Sequence, residues 1–84
     1  MDLTQEFQEA AVKSKQLPKQ ENDNLLKLYS LYKQATEGDV NIEKPANPFD
    51  MVGTAKFNAW DKLKGTGKED AMKQYIDLVK SLGS

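Results

Sequence analysis

Apolar residues recur three and four positions apart in four separate stretches, the spacing that places side chains on one face of an α-helix. The stretches cover residues 3 to about 15, 22 to about 36, 50 to 65 and 66 to 82. None of them alternates apolar and polar residues as a half-buried strand would. The pattern therefore predicts a single all-α domain over residues 1–84, built as a four-helix bundle.

Local signals at the helix ends support this division of the chain. Pro18 disfavours helical backbone in the residue before it, so the first helix should end near Leu17. Asn22 or Asp23 is a plausible N-cap of the second helix, and Gly38 a plausible C-terminal stop. The loop at residues 39–48 is long for so small a domain, which is typical of loops that are functional or that wrap the surface.

Similar local signals mark the ends of the third and fourth helices. Asp50 can cap the third helix, and Gly65 can end it. Thr66 and Glu69 have the spacing of a capping box at the start of the fourth. The residues expected to face the core are Leu3, Phe7, Ala10, Ala11, Ser14, Leu28, Leu31, Ala35, Val52, Ala55, Ala59, Trp60, Leu63, Ala71, Met72, Tyr75, Leu78, Val79 and Leu82.

The second helix carries a polar aromatic face beside its aliphatic one. Tyr29, Tyr32 and Lys33 are neighbours on a helix surface, because residues three and four apart lie side by side. Two phenols and an ammonium could hold an anionic aromatic ligand. The alternative is two tyrosines at the edge of the core with a lysine that extends to solvent. The residues alone favour the second interpretation.

Two side chains are polar where the pattern is apolar. Lys56 falls within the apolar stripe of the third helix, where burial of an unpaired ammonium would cost several kcal/mol. Either its stem lies along the core and its head reaches water, or an anion meets it there. Tyr75 lies in the stripe of the fourth helix and needs a hydrogen-bond partner, either a backbone carbonyl or a ligand. Lys15, at the end of the first helix, is unremarkable by itself.

The composition excludes several kinds of chemistry. The chain contains no Cys and no His. It therefore lacks thiolate and imidazole metal ligands, disulfides and His-based catalytic triads. No nucleophile has a base beside it in a recognisable motif, and no carboxylate pair is placed in a cleft by the pattern. The sequence thus predicts neither an enzyme nor a metal or cofactor site.

Charge and hydropathy limit the partners. Twelve lysines oppose thirteen acidic residues, the formal net charge is −1, and there is no Arg. Nucleic-acid binders usually have a basic excess and use Arg on guanine and phosphate, so we expect no nucleic-acid partner. The apolar runs are too short to span a membrane, and the N-terminal residues, which include Asp2 and Glu6, lack the pattern of a signal peptide. A cytoplasmic location fits best.

Longer motifs point to a known family. They comprise Phe7, Ala10 and Ala11, the string from Tyr29 to Thr36 with Gly38 and Asp39, Pro45, the block from Gly53 to Trp60, the string from Leu63 to Thr66, the string from Lys68 to Met72, and Tyr75 with Ile76. With these motifs the chain resembles the acyl-CoA-binding protein family over nearly its whole length.

The resemblance implies an up-down-down-up four-helix bundle that binds medium- to long-chain acyl-CoA esters without chemistry, as a monomer that is not inserted in membranes. The residue matching Tyr32 would stack on adenine. Tyr29, Lys33 and Lys56 would hold the 3′-phosphate region, and Tyr75 would line the nucleotide site. Lys15 would face the ligand too, although the first linker is one residue shorter than is common.

The chain departs from the family pattern at two positions of the third helix. Thr54 stands where a basic residue is frequent, and Phe57 replaces a common Trp or Tyr. The segment at residues 46–50 is also one residue longer than in the family pattern. These departures bear on the strength of the phosphate contacts. A second hypothesis, from a different class, is a helical module whose apolar groove binds an amphipathic partner helix.

Overall fold

The four predicted helices are all present in the computed structural model, which describes residues 2–83. They are α1 (Leu3–Ser14), α2 (Asn22–Glu37), α3 (Met51–Asp61) and α4 (Lys68–Leu82), and no strand occurs within residues 2–83. The all-α fold class is therefore confirmed.

Contacts between helices give their directions. The ammonium of Lys56 lies over the ring of Tyr29, and the ammonium of Lys33 lies over Trp60, four residues further along both helices. Helices α2 and α3 therefore run in the same direction.

The fourth helix runs against α2 and along α1. Tyr75 contacts Tyr32, whereas Lys68, earlier in α4, lies beside Gly38, which directly follows α2. Helix α1 runs parallel to α4, because Leu17 follows α1 and lies beside Gly83, which follows α4. These directions confirm the up-down-down-up arrangement.

Helices α2 and α4 form the centre of the bundle, since they pack against each other while α1 packs against α4 and α3 packs against α2. The core consists of Phe7, Ala10, Leu28, Leu31, Ala35, Ala71, Tyr75, Ile76 and Val79. The predicted inward residues Leu3, Ala11, Leu63, Met72, Leu78 and Leu82 are partly buried against it.

Two of the predicted helix ends are confirmed. The carboxylate of Asp50 accepts a hydrogen bond from the backbone N–H of Gly53 at 2.9 Å, as an N-cap does. Gly38 ends α2 with a φ of 83°, a conformation that favours glycine because it has no Cβ.

Both other N-cap predictions are wrong. The N-cap of α2 is Glu21, which makes no side-chain cap, so neither Asn22 nor Asp23 fills that position. The N-cap of α4 is Gly67, and the capping box at Thr66 is absent. The carbonyl of Thr66 accepts a hydrogen bond from Gln34, so this residue is held by a tertiary contact instead of closing a helix turn.

The third helix is shorter and less covered than the pattern predicts. It ends at Asp61, and residues 62–65 form a turn in which Gly65 has a φ of 92°. Val52, expected to face inward, is 67% exposed. Within the described chain α3 packs only on α2, so one side of its first turn has no neighbour to cover it.

Candidate ligand-binding site

An aromatic cluster joins α1, α2 and α4. The rings of Phe7 and Tyr32 stack with their centroids 5.4 Å apart, and Phe7 meets Tyr75 edge-on at 5.1 Å. Tyr32 lies 6.0 Å from Tyr75. Because Phe7 is buried and Tyr32 remains 43% exposed, α1 supports one face of the Tyr32 ring while part of that ring stays accessible from solvent.

Tyr75 is buried, and its hydroxyl has a partner. It is 3% exposed, and its side chain is within hydrogen-bonding reach of the hydroxyl of Ser14. The Ser14 hydroxyl itself donates to the carbonyl of Ala11 at 2.7 Å. Burial raises the pKa of the Tyr75 phenol, so this group is neutral at physiological pH. The sequence left a backbone carbonyl or a ligand as alternative partners of this phenol, and in the structure the side chain of Ser14 on α1 lies beside it.

Two ammonium groups lie near one phenol ring. The Nζ atom of Lys56 is 5.1 Å from the ring centroid of Tyr29, and the Nζ atom of Lys33 is 6.0 Å from the same centroid. Lys33 also lies 5.7 Å from the ring of Trp60. Lys56 is exposed, so of the two sequence interpretations the structure supports a head group at the surface, in a position where it can also meet an anion.

Lys33 has a carboxylate neighbour that the sequence analysis did not identify. Its Nζ atom donates to Oε2 of Glu37 at 2.7 Å, and the two side chains are each about one-third exposed. This hydrogen bond raises the pKa of the Lys33 ammonium and lowers the pKa of the Glu37 carboxyl. The spacing of four residues could have predicted the pair.

The helix that carries the site is fixed by a buried glutamine. Gln34 is fully buried, and its Nε2 donates to Asp39 at 3.0 Å and to the carbonyl of Thr66 at 2.7 Å. The same carboxylate oxygen of Asp39 accepts the backbone N–H of Gly65 at 2.8 Å. These bonds tie the end of α2 to the turn before α4, and so hold Tyr32 and Lys33 in place.

These hydrogen bonds to Asp39 should make the folding stability of the protein depend on pH. The hydrogen bond from Gly65, and then that from Gln34, lower the pKa of the Asp39 carboxyl below its ordinary value of 3.8. A lowered folded pKa contributes stability above the unfolded pKa that is lost as the pH falls through the folded pKa. We therefore expect the melting temperature of Asp39→Asn to fall less than that of the parent protein as the pH is lowered from about 5 to about 2. Thermal unfolding at a series of pH values measures this difference. Asp77→Asn, exposed on α4, is the control; if it shows the same change, Asp39 is not the cause.

Of the six predicted ligand-binding residues, Lys15 is the one that the structure connects least to the others. It is the C-cap of α1 and is exposed. It directly follows Ser14, the partner of Tyr75, and so stands at the α1 side of the aromatic cluster. The structure brings Tyr29, Lys33 and Lys56 together, and Tyr32 with Tyr75, while Lys15 has only this proximity along the chain.

An exposed aliphatic surface continues from the Tyr29–Lys56 contact. Leu25 and Val52 each precede one of these residues by four positions, so in the parallel pair α2 and α3 they lie one turn further along the same edge. Leu25 is 51% exposed and Val52 is 67% exposed. Met51 and Phe49, at the start of α3, are 77% and 88% exposed. Large apolar side chains exposed together are typical of binding surfaces.

A groove of about 820 Å³ lies elsewhere, between α1 and α4. Ala10, Ile76 and Val79 belong to its lining, and Leu17 and Pro18 close one end. It includes none of the six predicted ligand residues, so the phenols and ammonium groups of the candidate site do not line this groove. Residues 2–83 contain no carboxylate cluster placed to hold a metal ion, and no helix among them is long and apolar enough to cross a membrane.

Comparison with known proteins agrees with this arrangement. The sequence profile of the family described as "Acyl CoA binding protein" matches residues 4–79. The acyl-CoA-binding protein of Dictyostelium discoideum is 49% identical over 93% of this chain and 93% of its own length. That of Saccharomyces cerevisiae is 49% identical over 95% of this chain and 92% of its own.

A solved structure extends the likeness to three dimensions. The crystal structure of Oryza sativa Acyl-CoA-Binding Protein 2 matches with a TM-score of 0.91 and 44% identity, covering 96% of this chain and 90% of that one. A profile over most of the residues, relatives of nearly equal length and the same helix arrangement all agree: the chain belongs to the acyl-CoA-binding protein family.

Proposed function

We propose that residues 1–84 form one domain that binds medium- to long-chain acyl-CoA esters without chemistry, and that it buffers and carries them inside the cell. The observation that carries this proposal is the continuity of two surfaces. The Tyr29–Lys33–Lys56 group adjoins the exposed aliphatic edge at Leu25 and Val52. A ligand with an anionic aromatic head and a hydrocarbon tail fits both at once.

The head would be held by stacking and by point charges. Tyr32 presents an accessible ring whose position is fixed by Phe7, and an aromatic stack on a base is worth about 1–3 kcal/mol. Lys33 and Lys56 supply ammonium groups for phosphate oxygens, as lysine does where arginine is missing. Tyr75, with its buried hydroxyl on Ser14, would act by fixing the Tyr32 ring and by lining the nucleotide site.

Lys15 would add a further cation from the end of α1. It is exposed and lies next to Ser14, on the side of the aromatic cluster where α1 ends. A phosphate group of the head that extends past Tyr32 toward α1 could meet this ammonium.

The acyl tail would be held only by the burial of apolar surface. Each buried methylene adds about 0.8 kcal/mol, so affinity should rise with acyl length until the aliphatic edge is full. The edge is open to solvent at Leu25, Met51 and Val52, which allows the tail to enter sideways without opening the bundle. We expect a monomeric, cytoplasmic carrier, since one chain supplies both the head and tail surfaces.

The decisive experiment is calorimetric titration with acyl-CoA esters of increasing length, with free CoA and with the free fatty acid. We expect one-to-one binding of the esters, with affinity rising by up to about fifteenfold for each two carbons added. CoA alone should bind weakly because it lacks the tail, and the fatty acid should bind weakly because it lacks the head.

Any of three other results would contradict the proposal. A module for an amphipathic partner helix would give no heat with any of the three ligands. Equal affinity for the ester and the free fatty acid would show that the tyrosines and lysines do not hold the head. Catalytic release of free CoA during the titration would indicate an esterase.

A further inference from the structure

The ion pair at the end of α2 is poorly explained by helix stability. Lys33 precedes Glu37 by four residues, which is the less favourable order for such a pair. Glu37 is also the last residue of α2, whose final turn contains no basic residue. A carboxylate is unfavourable at the negative end of the helix dipole.

The carboxylate nevertheless has two neighbouring side chains. Lys33 donates to it at 2.7 Å, and the nearby side chain of Asn41, in the loop after α2, also lowers the pKa of this carboxyl, although less than Lys33 does. The Lys33 ammonium also lies over the rings of Tyr29 and Trp60, at 6.0 Å and 5.7 Å from their centroids. Glu37 therefore takes up hydrogen-bonding capacity of an ammonium that also faces the candidate site.

We propose that Glu37 is an internal competitor of the ligand phosphate: its carboxylate holds an N–H of the Lys33 ammonium in the free protein and opposes the approach of a phosphate group to that ammonium. This inference rests on the proposed function and extends it by naming a residue that lowers affinity. Lys56 contacts the same Tyr29 ring and forms no ion pair with a carboxylate among residues 2–83, so the two cations differ in availability. An arriving phosphate meets Lys56 directly, whereas at Lys33 it competes with Glu37 for the ammonium.

The test is Glu37→Gln, which keeps the size and the hydrogen-bonding oxygen of the side chain but removes its charge. Titrated with dodecanoyl-CoA at about 0.02 M salt, we expect this variant to bind about two- to fivefold tighter than the parent, the range that an exposed pair supports. The gain should shrink at about 0.5 M salt, where charges are screened over a few ångströms. It should also shrink with 3′-dephospho-dodecanoyl-CoA, which lacks one phosphate.

Glu9→Gln is the matched control, since it makes the same charge change on α1, at the groove between α1 and α4. We expect it to bind as the parent does. An equal gain in Glu9→Gln would mean that net charge alone is responsible and would overturn the inference. Unchanged or weaker binding by Glu37→Gln would also overturn it, and an undiminished gain with the dephospho ligand would show that the competition is not with that phosphate.

The failure of this inference is distinct from failure of the proposed function. If the parent protein gives no heat with dodecanoyl-CoA, the function itself is wrong and no competitor exists. If the parent binds and the glutamine variant gains nothing, the function stands and Glu37 has no part in setting affinity.

Discussion

Replacement of Lys56 by alanine is expected to weaken acyl-CoA binding by about ten- to hundredfold while leaving thermal unfolding nearly unchanged. The loss follows from the removal of a charge-assisted hydrogen bond to phosphate, which is worth about 1.5–3 kcal/mol. The fold should tolerate the change because Lys56 is exposed and its ammonium lies over the face of Tyr29, at the surface. Calorimetric titration together with a thermal melt measures both quantities.

Lys27→Ala is the matched control for this variant. Lys27 is also exposed, and it lies about 160° around α2 from Tyr29, away from the candidate site. We expect binding as in the parent protein. If Lys27→Ala weakens binding as much as Lys56→Ala does, lysines act here through overall charge, and the assignment of Lys56 to the ligand is refuted.

The second large effect is a loss of folding stability, which is expected for Trp60→Ala. Trp60 is 1% exposed, and its indole N–H donates to the carbonyl of Gly38 at 2.9 Å. Truncation of a buried Trp costs about 3–5 kcal/mol, a large share of the stability of a small domain. We expect the midpoint of urea unfolding, followed by far-UV circular dichroism, to fall sharply, with part of the population unfolded at 37 °C.

Trp60→Phe separates packing from the hydrogen bond. Phenylalanine fills most of the space but cannot donate to Gly38, so the loss should be smaller, about 1–3 kcal/mol. Because Lys33 lies over the Trp60 ring, the phenylalanine variant should still position this ammonium and bind acyl-CoA. A variant as unstable as Trp60→Ala would show that the hydrogen bond to Gly38, and not the buried volume, holds α3 on α2.

Local patterns predicted the features that depend on neighbours in sequence. The burial of Leu28, Leu31 and Ala35 follows from helical spacing, which is a property of one helix. The Asp50 cap likewise involves a partner three residues away. The exposure of Val52 did not follow, because it depends on which helices pack against α3.

The tie around Gln34 shows the opposite case. Its bonds join residues up to 32 positions apart, and no spacing in the sequence marks them. The capping-box pattern at Thr66 failed for a related reason, since the backbone N–H that a capping box would use donates to the carbonyl of Leu63 in the preceding turn. Sequence motifs identified Gln34 and Asp39 as part of the family string, but only the fold shows that they hold the two helix ends together.

By itself the sequence determined that the chain forms four amphipathic helices, that it contains neither Cys nor His for catalysis or metal binding, and which family it resembles. Periodicity and composition are sufficient for this because they are properties of single segments. The tertiary structure decided that Tyr75 is buried while Tyr32 stays accessible, that Phe7 supports the Tyr32 ring, and that Lys56 meets Tyr29. Two tyrosines with the same chemistry differ here because the burial of a side chain depends on which neighbouring helices cover it.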